Sequence, residues 1–325
     1  MSRLRVSPRA FRASAWANVV ALVVVVVTGG AVRLTGSGLG CTDWPLCEGA
    51  LVRVDATSYH PLIESGNRFL TELAGLLILA LFVMALLRAP RRRDLVWLSV
   101  SLGVTYLLNG VLGAIVVYVD LAPVSVVGHF VLAEACIAIG FVLAHRGGLP
   151  DAEDGVVHLV SETRAGTVSR RLAWLLTGLA VWVMMLGTVV TSSGPHAGDP
   201  AAERLSFAFA DVTRIHSVSA ICTLGVAVYF LWHLRRDGSA SRSRRPVAAF
   251  TVLLVAQGVI GYAQFFAGVP ALLVGVHLLG ATLVWIAALA IICSLEPPAP
   301  VGGDGHRVDR VHGTHRDADR TPVAV

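Results

Sequence analysis

The chain contains no lysine: all 26 of its basic residues are arginine. Charge of either sign is scarce, at 14% of residues, where a soluble domain carries about a quarter. That scarcity excludes a one- or two-domain cytosolic enzyme, because a water-facing surface cannot be built from so few charges. Five cysteines are too few for a disulfide scaffold. What fills the sequence instead is apolar: 55% hydrophobic residues and a mean hydropathy of +0.71. The net charge of +5 and a pI near 9.3 could point to nucleic acid, but the arginines cluster in short runs between apolar stretches. The basic character therefore belongs to segments flanking a membrane, and no nucleic-acid partner is expected.

Runs long enough to cross a hydrocarbon core, at ~20 residues each, fall near 15–34, 63–88, 95–118, 124–145, 172–192, 210–234, 247–266 and 272–294. Backbone polar groups in lipid must be paired internally, so each run is read as a helix and the chain as an all-α integral membrane protein with eight spans. The first run, behind Arg3, Arg5, Arg9 and Arg12, ends in Thr28-Gly29-Gly30-Ala31, a poor cleavage site, and is read as a retained span. Basic residues stay cytoplasmic. One set of connections, from Arg3 to Arg245, holds 17 arginines; the other holds Arg33, Arg53, Arg68, Arg204 and Arg214. Both termini are thus expected in the cytoplasm of a plasma-membrane protein, with loops 35–62, 119–123, 193–209 and 267–271 outward. Trp16, Trp97, Trp174 and Trp232 then fall near cytoplasmic helix ends.

Loop 35–62 places Cys41 and Cys47 on the side where disulfides persist, and the bend at Pro45 brings them within bonding range; a free or redox-exchanging thiol pair is the alternative. Cys136, Cys222 and Cys293 read as small buried hydrophobes. The polar segment 147–170 reads as a cytoplasmic linker and 296–325 as a disordered tail, whose His306, His312 and His315 are assigned no role.

The two halves, 1–146 and 171–295, repeat. Asn109-Gly110-Val111-Leu112-Gly113 matches Gln257-Gly258-Val259-Ile260-Gly261, and 19 residues separate both Gly110 from His129 and Gly258 from His277. Spans two and six carry Asn67-Arg68 and Arg214-Ile215-His216 at comparable depth. The expected fold is two similar four-helix bundles in parallel orientation.

Ionisable residues within a membrane are costly and mark function. His129, His216 and His277 all lie roughly 8–10 Å below the outward surface at ~1.5 Å per residue. His216 and His277, in one half, suit axial ligation of a haem iron, with Gly258, Gly261, Gly275 and Gly280 giving a flat macrocycle room; backbone-bonded packing histidines are the plain alternative. In the first half the repeat predicts a partner for His129 and offers Asn67, an amide that ligates haem iron poorly, so one coordination position there is left open. Glu64, Asn67, Arg68, Thr71 and Glu72 form a polar helical face. Glu64 is read as a proton-relay or substrate-positioning group, with Arg68 pairing to Glu64 or Glu72 as the structural alternative. Arg33, Arg68 and Arg214 are candidates for haem propionates, Asp211 being the plain partner of Arg214. No partner for Glu134 is evident.

The segment from Gly29 to Leu39, then Cys41-Thr42-Asp43-Trp44-Pro45-Leu46-Cys47 and Ile63-Glu64-Ser65-Gly66-Asn67-Arg68, resembles the N-terminal signature of the haem A synthase family, and the resemblance runs on through Gly128-His129, Arg214-Ile215-His216 and Val276-His277. It implies oxidation of the C8 methyl of haem O to the formyl of haem A by successive monooxygenations, with dioxygen or water as oxygen source, for aa-type terminal oxidases. It further implies a haem B cofactor between His216 and His277, substrate haem against His129, Glu64 as the catalytic side chain and Cys41–Cys47 as the outward cysteine pair. A haem O synthase and oxidase assembly factors are the implied partners; the electron donor has no signature. Many members carry histidine where this chain has Asn67. The competing reading is a non-catalytic b-type cytochrome passing electrons from quinol, which explains His216 and His277 and leaves Glu64 idle. A transporter is disfavoured because no span is interrupted at its middle.

Overall fold

The computed structural model describes residues 5–41, 43–151, 166–237 and 241–295. These fold into eight long helices: α1 (Pro8–Leu34), α2 (His60–Leu87), α3 (Arg93–Tyr118), α4 (Pro123–Gly147), α5 (Thr167–Ser193), α6 (Phe209–Asp237), α7 (Arg244–Phe266) and α8 (Ala271–Ser294). All eight are long and apolar enough to cross a membrane. Proline sits in the first turn of α1, α2 and α4, where its missing N–H has no intrahelical partner to lose. Helices α1 and α5 start several residues before the hydropathy runs at 15 and 172. Their first turns carry Arg9 and Arg12, and Arg170 and Arg171, which lower local hydropathy without breaking the helix.

Each half is a ring of four helices. In the first, α1 packs on α2, α2 on α3, α3 on α4 and α4 back on α1; in the second, α5 to α8 close in the same way. The diagonal neighbours across the two rings are therefore α2 with α4 and α6 with α8. The packing has the character expected in lipid: small residues such as Ala15, Ala85, Ala144, Ala173, Ala227 and Ala288 are buried between helices, while Leu107, Val124 and Trp97 are exposed on the outside. Cys136 and Cys293 are buried as expected; Cys222 is exposed on the outer side of α6, because a small apolar side chain costs nothing against lipid.

The halves meet chiefly where α8 touches α1 and α4. Glu134 on α4 and Thr282 on α8 stand at the centre of this seam, each five residues beyond the histidine of its own helix, and the Thr282 hydroxyl donates to Glu134 Oε1 at 2.7 Å. Trp285 Nε1 donates to the Glu134 carbonyl at 3.1 Å, and its ring packs against the apolar cores of both halves. On the face that bears the cysteine loop, the Arg33 guanidinium at the end of α1 donates to the His196 carbonyl at 2.8 Å and the Thr191 carbonyl at 3.2 Å, crossing into the second half. The Gly38 N–H donates to the Gly198 carbonyl at 2.9 Å beside it. On the opposite face, fully buried Arg92 pairs with Asp94 at 2.7 Å and donates to the Arg146 carbonyl. The tail histidines His306, His312 and His315, and most of the 147–170 linker, lie outside the described residues.

Among the described residues Glu134 Oε2 is buried without a hydrogen bond, and Thr282 supplies the carboxyl's one side-chain hydrogen bond. Thr282→Val is expected to lower stability by ~1–3 kcal/mol, the cost of an unsatisfied buried polar group, seen as a lower thermal unfolding midpoint in detergent. Thr282→Ser should restore it.

Candidate functional site

The three intramembrane histidines are held by one local device. Each ring lies against a glycine of the preceding helix: His129 on Gly113 of α3, His216 on Gly187 of α5, and His277 on Gly261 of α7. A Cβ placed on those glycines would stand 2.9, 3.3 and 3.5 Å from the respective ring Cε1 atoms. Absence of a side chain lets the imidazole come down onto the helix backbone. There the Nδ1 atoms of His129 and His216 lie 3.1 Å from the carbonyls of Asn109 and Val183, in both cases four residues before the glycine. A carbonyl only accepts, so Nδ1 carries the proton in both rings and Nε2 presents a lone pair. The residue four before Gly261 is Gln257; the His277 Nδ1 is buried and makes no hydrogen bond among the described residues.

A fourth copy of the device lies in α1 and α2, occupied by Asn67. Its Nδ2 and Oδ1 lie 3.8 and 3.9 Å from the Cβ position of Gly29. Four residues earlier is Val25; the Thr28 hydroxyl, one hydrogen with three acceptors in reach, lies 3.2 Å from the Val25 carbonyl, 2.9 Å from the Val24 carbonyl and nearest, at 2.7 Å, to Asn67 Oδ1. The sequence repeat is thus a repeat of cradles, three holding imidazoles and one an amide.

Across the second ring, the centroids of His216 and His277 are 6.3 Å apart with the ring planes at 71°. A metal–imidazole bond is ~2 Å, so two such bonds plus the half-widths of two rings account for this separation, and two neutral imidazoles form a ligand set for haem iron. The residues fit a haem between them. Of the four glycines expected to make room, only Gly258 meets open space; Gly261 lies under His277, Gly275 packs on Leu34 and Gly280 on Gln257.

Glu64 is buried in the second turn of α2, with both carboxylate oxygens engaged. Oε2 accepts from the Cys41 N–H at 2.8 Å and Oε1 from Arg68 Nη2 at 2.5 Å. Arg68 does not turn to Glu72; its Nη1 donates to the carbonyls of Asp43 and Leu46, at 2.5 and 2.9 Å. The pair therefore fastens the 41–47 loop, closed by a disulfide between Cys41 and Cys47 with Cα atoms 5.0 Å apart, onto the start of α2. Gly40 allows the approach, since a Cβ there would fall 2.7 Å from the His60 carbonyl. Arg214 is exposed and lies 3.3 Å from Asp211.

Two residues were not legible as site candidates. His60, four residues before Glu64 on the same helical face, bonds Ser37 Oγ through Nδ1 at 2.9 Å and lines a cavity of about 380 Å³ with Leu39, Gly40 and Asp199. The i to i+4 spacing was the available signal. Glu134 has its partner in Thr282, and the clue was that the two occupy equivalent positions of the repeat.

A helical membrane repeat with a paired-imidazole centre in one half and a single imidazole at the equivalent place in the other is a haem-competent integral membrane protein. The model of the COX15-CtaA family, cytochrome oxidase assembly protein, matches residues 12–289, and the chain belongs to that family. Among similar proteins, a Heme A synthase of Exiguobacterium sp. (strain AT1b) is 27% identical over 248 residues, covering 73% of this chain and 77% of the relative. One of Listeria welshimeri is 26% identical over 287 residues, covering 86% and 92%, and one of Listeria monocytogenes is 24% identical over the same length. Eight spans and bacterial relatives of this kind make the chain a multi-pass plasma-membrane protein.

The cradle is tested by two neighbouring glycines. Gly113→Ala places a methyl 2.9 Å from the His129 ring and is expected to displace it, whereas Gly110 meets nothing within 4 Å. Gly110→Ala should keep haem content and raise stability by up to ~1 kcal/mol through helix propensity. Gly113→Ala should lower the haem content, as measured by pigment-to-protein ratio.

Proposed function

We propose that the chain is a haem A synthase, oxidising the C8 methyl of haem O to the formyl of haem A by successive monooxygenation and loss of water, for aa-type terminal oxidases. The observation that carries the reading is the asymmetry of the repeated cradles: His216 faces His277 in one half, while of the two equivalent cradles in the other half one holds His129 and one the amide of Asn67. In this reading α5–α8 hold a haem B cofactor through His216 and His277, and α1–α4 take haem O against His129. The bound haem B supplies electron transfer.

The remaining roles belong to the chain's own residues. Val183 and Asn109 fix the Nδ1–H tautomer of His216 and His129, so that each ring offers Nε2. Glu64 is the catalytic carboxylate, held by Arg68 and the Cys41 N–H so that it can exchange a proton at the substrate edge while the disulfide loop covers it. Arg33, which donates to the carbonyls of His196 and Thr191, keeps its positive charge available to a propionate; Arg68 and the exposed Arg214 are the other candidates. The cysteine loop faces outward, and both termini are cytoplasmic. Dioxygen or water brings the oxygen, an external donor takes part in the redox balance, and a haem O synthase and oxidase assembly factors stand upstream and downstream.

A b-type cytochrome is the competing function, since it uses His216 and His277 equally well. It gives no role to the clamp of Glu64 under the disulfide loop.

The test is expression in a host that makes haem O and lacks its own haem A synthase, with extracted haems resolved by chromatography and mass. Wild type should yield haem A or its hydroxylated precursor. Glu64→Ala should reduce that yield at least about a hundredfold, as expected when a group acting in the transition state is removed, and His277→Ala should reduce it as strongly through loss of the haem B ligand. Wild type that retains haem B and leaves haem O unchanged, beside a related enzyme that works with the same donor, would establish the cytochrome reading.

A further inference from the structure

We propose that Thr28 and Asn67 form a hydrogen-bond donor aimed at the open side of the haem held by His129, with Asn67 Nδ2 as the donating atom. The proposal rests on the reading that the first half takes a haem. The four cradles are equivalent by the repeat. In the second half, the residues of the α6 and α8 cradles face each other across the ring with room for one metal ion between them. Their counterparts on α2 and α4 are Asn67 and His129, so Asn67 faces the space into which His129 presents Nε2.

Asn67 cannot replace an imidazole there. Of the three acceptors in reach of the Thr28 hydroxyl, Asn67 Oδ1 is the nearest at 2.7 Å, ahead of the carbonyls of Val24 at 2.9 Å and Val25 at 3.2 Å; that contact orients the carboxamide and occupies the atom that could approach a metal. What remains is Nδ2, a double donor that makes no hydrogen bond among the described residues. The amide is also shorter than an imidazole, leaving space for a small ligand between it and the iron. Donors held in place beside such a ligand stabilise negative charge that develops on it, and they do so more strongly in a site shielded from water. A merely structural Thr28–Asn67 bond would tie α1 to α2 and leave a ligand at the iron unaffected.

Carbon monoxide is the probe, added to the reduced, anaerobic, full-length protein carrying both haems, with the C–O stretch read by infrared spectroscopy. The first-half haem is expected to bind carbon monoxide, and the six-coordinate haem of the second half is not. Thr28→Val and Asn67→Leu should raise the stretching frequency and lower affinity about fivefold each, as expected for one lost hydrogen bond; Thr28→Ser should restore both. Asn67→His should fill the cradle, convert the first-half haem to a low-spin six-coordinate spectrum and abolish carbon monoxide binding. An unchanged stretching frequency in both Thr28→Val and Asn67→Leu overturns the proposal while leaving the haem assignment standing. Failure of wild type to retain a second haem overturns the assignment and the proposal together.

Discussion

An imidazole laid on a glycine, with its Nδ1–H given to the helix carbonyl one turn earlier, is the contact on which the site depends. It does three things at once. It brings two helices to close approach, satisfies a polar hydrogen that would be costly to leave unpaired in lipid, and fixes the tautomer that leaves Nε2 free. His129 on Gly113 and His216 on Gly187 show it complete. His277 on Gly261 shows the packing without the hydrogen bond. Because the device is local to a pair of adjacent helices, it can be copied with the repeat and then altered in one copy without disturbing the others. Asn67 on Gly29 is the altered copy.

The seam between the halves extends the same logic. Glu134 and Thr282 occupy equivalent places on α4 and α8, and they bond each other rather than their own halves. A symmetric repeat would put two identical side chains face to face here; a carboxyl and a hydroxyl instead form a donor–acceptor pair. Trp285 packs on both cores and donates to the same residue's backbone. The two halves are thereby held at a fixed relation through the helices that carry His129 and His277.

Much of this could be read from the sequence, because the strongest signals are periodic and local. Eight apolar runs, the Gly110–His129 and Gly258–His277 spacings and the two cysteines of the first loop led to the spans, the repeat, the paired histidines and the disulfide. Other features escaped for physical reasons. Arg9, Arg12, Arg170 and Arg171 hid the first turns of α1 and α5, since hydropathy does not register a helix end exposed to water. The partner of Glu134 lies 148 residues away, and nothing in local spacing points across a seam. Arg68 had Glu64 and Glu72 at equal helical distance, and only the carbonyls of Asp43 and Leu46 in the folded loop decide for Glu64. The glycines were visible as glycines, but which imidazole each one carries depends on how the helices pair.

The most direct test of the account is low-temperature electron paramagnetic resonance of the oxidised protein prepared with haem B alone. One low-spin, bis-imidazole signal at one haem per chain is expected, abolished by His216→Ala or His277→Ala and retained in His129→Ala. A low-spin signal that survives loss of His216, or disappears with His129, would contradict the assignment of the paired centre to α6 and α8.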